Sequence, residues 1–293
     1  MRTILLVDSC SDLPLSYIEE NSDIIDAVGM PVTIDGKGYV DDFGKTLTHE
    51  KFYGYLRNRT VPSTSQITAF TFLENFEKHY KKGESVIYLS FTSAMSGTYN
   101  NAVLAKNMLL EKYPDADVTI IDTLSASIGE GVIDIYAAKM LRCGKSKEEI
   151  IDWVEKNKLN SNHWFAVNDL YFLKKGGRIS STSAAVGTLL NVKPIITIDD
   201  SGKLKPYINV RGRKKSLNFI ADKIREHIKN EKDAIILIGH GDCIEDAKYI
   251  KSSVETSLHV KKIIITELSA TIATHVGPDM IAAAFIGDKR ENK

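Results

Sequence analysis

Three turns hold most of the side chains in this 293-residue chain that could bind an anion. In SFTSAMSGTYNNA (Ser90–Ala102), Ser93, Ser96 and Thr98 crowd around Gly97. The apolar run Ser85–Ser90 before them reads as a strand, and the spacing from Thr98 to Tyr113 reads as a helix. A helix start offers free N–H groups and the positive end of its dipole, which favour a carboxylate or a phosphate. Ser96 or Thr98 could equally be an ordinary helix cap. PSTSQ (Pro62–Gln66) adds the donors Thr64 and Ser65 just before a helix that Thr68 could cap, and a plain capped loop explains it as well. DLYFLKKGGRIS (Asp169–Ser180) reads as a helix end stopped by glycine, with Lys174 and Lys175 answering the dipole. That leaves Arg178, whose planar fork of donors suits a carboxylate, beside two glycines free to adopt positive φ.

Other constellations are weaker. VRGRKK (Val210–Lys215) sets Arg211, Arg213, Lys214 and Lys215 beside a strand end, either as a solvated loop or as a docking patch for an acidic or phosphate-bearing partner. Among seven histidines, His240 in GHGD and His275 in THVGPDM stand out by their neighbours. Ser96, His275 and an aspartate would make a serine-dependent acyl hydrolase, but GxSxG is missing. No HExxH or paired-histidine spacing points to zinc. A dinucleotide fold fails at DSCSDL, which has no glycine after the first strand, and the P-loop pattern is absent.

The elements that must position these turns alternate as strands and helices, an α/β pattern. Strands are expected at Ile4–Val7, within Ile24–Ile34, and at Ser85–Ser90 and Val118–Asp122, with helices at Thr48–Arg57, Thr68–Lys81 and Lys147–Lys156. Beyond a polar connector, 157–162, strands are expected at Trp164–Val167, Val192–Ile198, Ala234–Gly239 and Lys261–Glu267. Helices are expected near Ser183–Leu190, Lys214–Lys229 and Ile244–Val254. The length favours two α/β domains, 1–160 and 161–293, with the ligand site at their seam. Lys plus Arg and Asp plus Glu are both 38, which argues against broad attraction to nucleic acid or an anionic membrane. Three scattered cysteines (Cys10, Cys143, Cys243) fit a reducing compartment. With too short an apolar run for a signal peptide and none for a membrane span, the cytoplasm is the expected location.

Taken together, VDSCSDL (Val7–Leu13), TSQ (Thr64–Gln66), SGTYNNA (Ser96–Ala102), DLYFLKKGGRIS, VKPI (Val192–Ile195), VRGRKK and HVGP (His275–Pro278) resemble the DegV family of bacterial fatty-acid-binding proteins over nearly the whole chain. The resemblance implies a non-catalytic carrier without cofactor or metal. One long-chain fatty acid would have its carboxyl group near the domain seam and its tail in the C-terminal domain. Thr64 and Ser96 would be the direct carboxyl ligands, with Ser93, Arg178 and His275 in the surrounding network. Arg211 and Arg213 would contact a fatty acid kinase that makes an acyl phosphate for phospholipid synthesis. A carrier of this kind needs no symmetry, and a monomer is expected. Ile67 after TSQ, Met95 before SGT and Asp279 after GP depart from the family's commonest residues: the first two bear on pocket shape, the third on the local turn. Val186, Leu189, Leu190, Ile195, Ile196 and Ile265 are candidates to line the tail.

Overall fold

The computed structural model describes residues 1–179 and 191–291. In chain order its first part runs β1 (Arg2–Asp8), α1 (Leu15–Glu20), β2 (Ile25–Val28), β3 (Met30–Ile34), β4 (Lys37–Asp41), α2 (His49–Arg57), β5 (Ser63–Thr64), α3 (Ala69–Tyr80), β6 (Glu84–Ser90), α4 (Thr98–Lys112), β7 (Val118–Asp122), α5 (Ile128–Arg142) and α6 (Lys147–Asn157). The second part runs β8 (Ser161–Ala166), α7 (Tyr171–Lys175), β9 (Val192–Ile198), β10 (Leu204–Arg211), α8 (Arg213–His227), β11 (Ile235–His240), α9 (Ile244–Glu255), β12 (Lys262–Glu267), α10 (Ala270–Val276) and β13 (Ile281–Ile286). The helix expected at Ser183–Leu190 lies outside the described residues, as do Val186, Leu189 and Leu190.

Two α/β units result. The first holds a parallel sheet ordered β2-β1-β6-β7, whose strands are nearly continuous apolar runs because helices cover both faces. The second holds a mixed sheet ordered β10-β9-β8-β13-β11-β12. A small antiparallel sheet, β4-β3-β5, splits the extended region expected at Ile24–Ile34: β2 joins the parallel sheet and β3 the small one. Thr48 and Thr68 cap α2 and α3 by accepting from Lys51 and Thr71 N–H groups, and Ser146 forms a reciprocal capping box with Glu149 at α6.

Residues 157–162 do not form an open connector. They comprise the last residue of α6, a single 3-10 turn at Lys158–Asn160 and the start of β8, where Ser161 and Asn162 are buried. α5 explains why the chain needs none. It is buried along most of its length and packs against both large sheets, so one apolar core runs from Leu5 and Val86 through Val132 to Phe165 and Leu237. The opposite face of the mixed sheet builds a second core with α8 and α9.

Candidate ligand-binding site

At the seam lies a cavity with room for the centres of water-sized atoms over about 60 Å³. One water needs roughly 10–15 Å³ on that measure, so the space takes several methylene-sized groups. Cys10, Met30, Thr64, Phe91, Met95, Ser96, Ala126 and Ser127 line it from one side. His163, Phe165, Leu173, Arg178, Leu204, Thr271, Ile272, His275, Val276 and Met280 line it from the other. Most of this wall is apolar; of its polar residues, Thr64, Ser96, Arg178 and His275 come from β5, the turn before α4, the turn after α7 and the end of α10, while Ser127, His163 and Thr271 lie elsewhere on it.

The first four of these residues lie far apart in sequence. Thr64 Oγ1 lies 2.8 Å from His275 Nε2. Thr64 reaches it because β5 pairs with β3, setting Thr64 opposite Val32. Ser96 Oγ, in the cavity wall, lies 2.9 Å from Thr98 Oγ1 and accepts from the Thr98 N–H at 3.2 Å, but the residue at the cap of α4 is Gly97, with no side-chain cap bond, so neither Ser96 nor Thr98 is the cap residue. Gly97 begins α4 under the Gln66 amide, where a Cβ would collide with Gln66 Oε1. Arg178 lines the cavity and both shallow openings beside it, and its Nη1 donates to Gly176 O at 2.6 Å. Ser93 is exposed and lies in one of those openings with Ser65, Gln66, Ser96 and Arg178, outside the cavity itself. Of the two glycines expected to take positive φ, only Gly177 does, at 69°, whereas Gly176 has φ −74°. Gly176 is small for another reason: a Cβ there would strike His275 Nδ1.

Burial, reinforced by the positive charge of Arg178, lowers the His275 pKa to about 4, so the ring is neutral near pH 7. Among the described residues its Nδ1 has no partner, and neither Ser96 nor a carboxylate bonds to the ring. The arrangement lacks both links of a serine–histidine–aspartate triad. Burial also lowers the Arg178 pKa, and no carboxylate pairs with this guanidinium among the described residues.

The DSCSDL turn does different work from a dinucleotide-binding turn. Asp12 Oδ1 accepts from Ser269 N–H at 2.7 Å and its Oδ2 accepts from Ser127 Oγ, while Asp41 Oδ2 accepts from Thr271 N–H and Oγ at 2.8 and 2.6 Å. These two carboxyls hold the start of α10, the helix that carries His275. Burial raises the Asp12 pKa to about 7 and that of Asp41 to about 6. Sequence reasoning missed both, although Asp12 sits inside a motif it had singled out.

The remaining expectations separate. Arg211 ends β10 as an exposed side chain without an ion pair among the described residues. Arg213 is engaged internally, its Nε and Nη2 at 2.8 and 2.7 Å from Asp246 Oδ2. Met95 lines the cavity, but Ile67 is buried in the shared core. Ile195, Ile196 and Ile265 are not in the cavity wall: Ile195 belongs to the core under α8 and α9, Ile265 packs on that core, and Ile196 lies in the shared one. Asp279 takes φ 61° and accepts from Arg57 and Asn168, so the turn after HVGP closes without glycine at that position. Among the described residues, no helix is long and apolar enough to cross a membrane.

Comparison with known proteins gives a consistent result. Residues 2–288 match a family model described as an uncharacterised protein of the DegV family. A DegV domain-containing protein of Clostridium perfringens is 42% identical over 290 residues, covering 99% of each chain. A solved DegV family protein from Thermus thermophilus, described by its fatty acid binding, superposes with TM-score 0.87 at 29% identity, covering 98% of this chain and 100% of that one. A stearic acid-binding protein from Eubacterium ventriosum gives TM-score 0.85 at 26% identity over 98% of both chains.

Proposed function

Because this chain belongs to the DegV family, we propose that it is a non-catalytic carrier of one long-chain fatty acid. The observation that carries this reading is the polar end of a mainly apolar cavity, lined by Thr64, Ser96, Arg178 and His275. A neutral His275 with its proton on Nε2 donates to Thr64 Oγ1, which leaves the Thr64 hydroxyl hydrogen for a carboxylate. Ser96 supplies a second hydroxyl, Arg178 adds positive charge, and Ser93 extends the network at the opening. These donors offset the cost of desolvating the carboxyl group. Affinity comes mainly from the tail: each buried methylene contributes roughly 0.8 kcal/mol before association costs, and the cavity as it stands takes several of them.

The bound acid would then be offered to a fatty acid kinase in the cytoplasm, the acyl phosphate product feeding phospholipid synthesis. Arg211 is the better placed of the two arginines to meet that partner, since Arg213 already pairs with Asp246. The carrier acts as a monomer in this scheme, and the transfer chemistry belongs to the kinase.

Native mass spectrometry of the purified protein, followed by analysis of its organic extract, tests the core of the reading. One fatty acid per chain is expected, with retention weakened about tenfold in Ser96→Ala or Thr64→Val, as for loss of one hydrogen bond to a charged group. An empty protein that takes up no added fatty acid would overturn it. Arg211→Ala should bind the acid normally while kinase-dependent phosphorylation falls; unchanged turnover would remove Arg211 from the docking surface.

A further inference from the structure

Along β8 the side chains alternate between two environments. Trp164 and Ala166 enter the core under α8 and α9, whereas His163 and Phe165 line the cavity. His163 is 3% exposed, and neither ring nitrogen has a hydrogen-bond partner among the described residues. Elsewhere in the wall Ser127 donates to Asp12, Thr271 donates to Asp41 and Ser96 meets Thr98, and His275, whose Nδ1 is unpaired, still meets Thr64 through Nε2. The His163 imidazole instead stands 5.4 Å from the Phe165 ring and close above Gly129 on α5, in a wall that also holds Leu204 and Met280. A buried donor and acceptor without partners is costly, and an aromatic or aliphatic residue would fill the same volume without that cost.

We propose that His163 is a specificity-determining residue that selects acyl chains bearing a hydroxyl group on the tail. This rests on the fatty-acid reading of the cavity and goes beyond it, since an unsubstituted tail leaves both nitrogens unpaired. A neutral imidazole has one N–H and one lone pair, so a hydroxyl can pair with it in either sense. Burial, with the nearby Arg290 charge, lowers the His163 pKa to about 3 and keeps the ring neutral across the working range. A second charged group on the ligand is therefore not what the site fits.

The test titrates delipidated protein with stearic acid and with hydroxystearic acids that differ in hydroxyl position, by displacement of a fluorescent fatty acid. One position should bind about tenfold tighter than stearic acid, the discrimination expected when a ligand satisfies buried polar atoms. His163→Leu should abolish that preference with stearic acid affinity kept or improved, and His163→Gln should restore part of it. Should the variants fold poorly, imidazole ¹⁵N shifts in the unaltered protein provide the readout, moving with the preferred hydroxy acid and not with stearic acid. Stearic acid binding with no preferred hydroxyl position, or with the same preference in His163→Leu, would overturn the assignment and leave the carrier reading intact. Failure of every acid to bind would overturn both.

Discussion

The two faces of the mixed sheet share strands but differ in how they are filled. On one face, Trp164 meets Tyr207 at 4.9 Å and His227 at 6.1 Å, with Lys223 Nζ 5.0 Å from its ring, and α8 and α9 close the layer with Leu217, Ile220, Ile224 and Ile250. On the other, one residue away, His163 and Phe165 border a cavity. Close packing is the rule inside proteins, so an underfilled face beside a filled one on the same strand marks the face that the proposed ligand would fill.

The largest effect that could break this comparison is on the filled face. Trp164→Ala should cost about 3–5 kcal/mol in denaturant unfolding, because the layer cannot collapse onto the gap. Leu204→Ala, on the cavity face, should cost clearly less stability and act mainly on fatty acid affinity. Equal losses from the two would mean that the faces are packed alike.

Next in size is a dependence on pH. The folded-state pKa of His163 is lowered to about 3 from 6.5, so its contribution to stability is present above pH 6.5 and is lost as pH falls towards 3. Relative to the unaltered protein, His163→Leu should gain on the order of 1.4 kcal/mol for each pH unit across that window. Asp12 and Asp41 run the other way: their raised values give stability present below about pH 4 and lost as pH rises through 6 to 7. Both remain in the variant, so they cancel in the difference between the two proteins. A pH-independent difference would place His163 in a wetter setting than its burial indicates.

The smallest expected effect sharpens the polar end. Gly176→Ala puts a methyl group against His275 Nδ1 and should displace the ring from Thr64. Loss of one hydrogen bond, about 1 kcal/mol, predicts roughly fivefold weaker fatty acid binding with little change in unfolding midpoint. Isothermal titration beside a thermal melt separates the two, and unaltered affinity would remove His275 from the carboxyl network.

The first α/β unit was largely legible in the sequence because its strands are unbroken apolar runs and its helices start at Thr48 and Thr68. β10 and β13 were not. β10 is half-exposed, shows no clean alternation and carries a register shift near Pro206, and IAAAFI is buried at every residue but the last, so period two never appears. The site divides in the same way. Each hydroxyl-rich turn could be read locally, but the meeting of Thr64 with His275 spans 211 residues and depends on β5 pairing and on Asp12 and Asp41 docking α10. Spacing carries no trace of such contacts, and only the family resemblance suggested them. His163 gave no signal at all, because its significance lies in what fails to surround it.

One helix also governs how the molecule comes apart. Since α5 lends its apolar sides to both large sheets, neither sheet can shed its partner without exposing the helix to water. Melting should therefore be a single cooperative event, with α5 amides exchanging hydrogen only through global opening. Proteolytic nicking near Lys158 should yield fragments that stay associated.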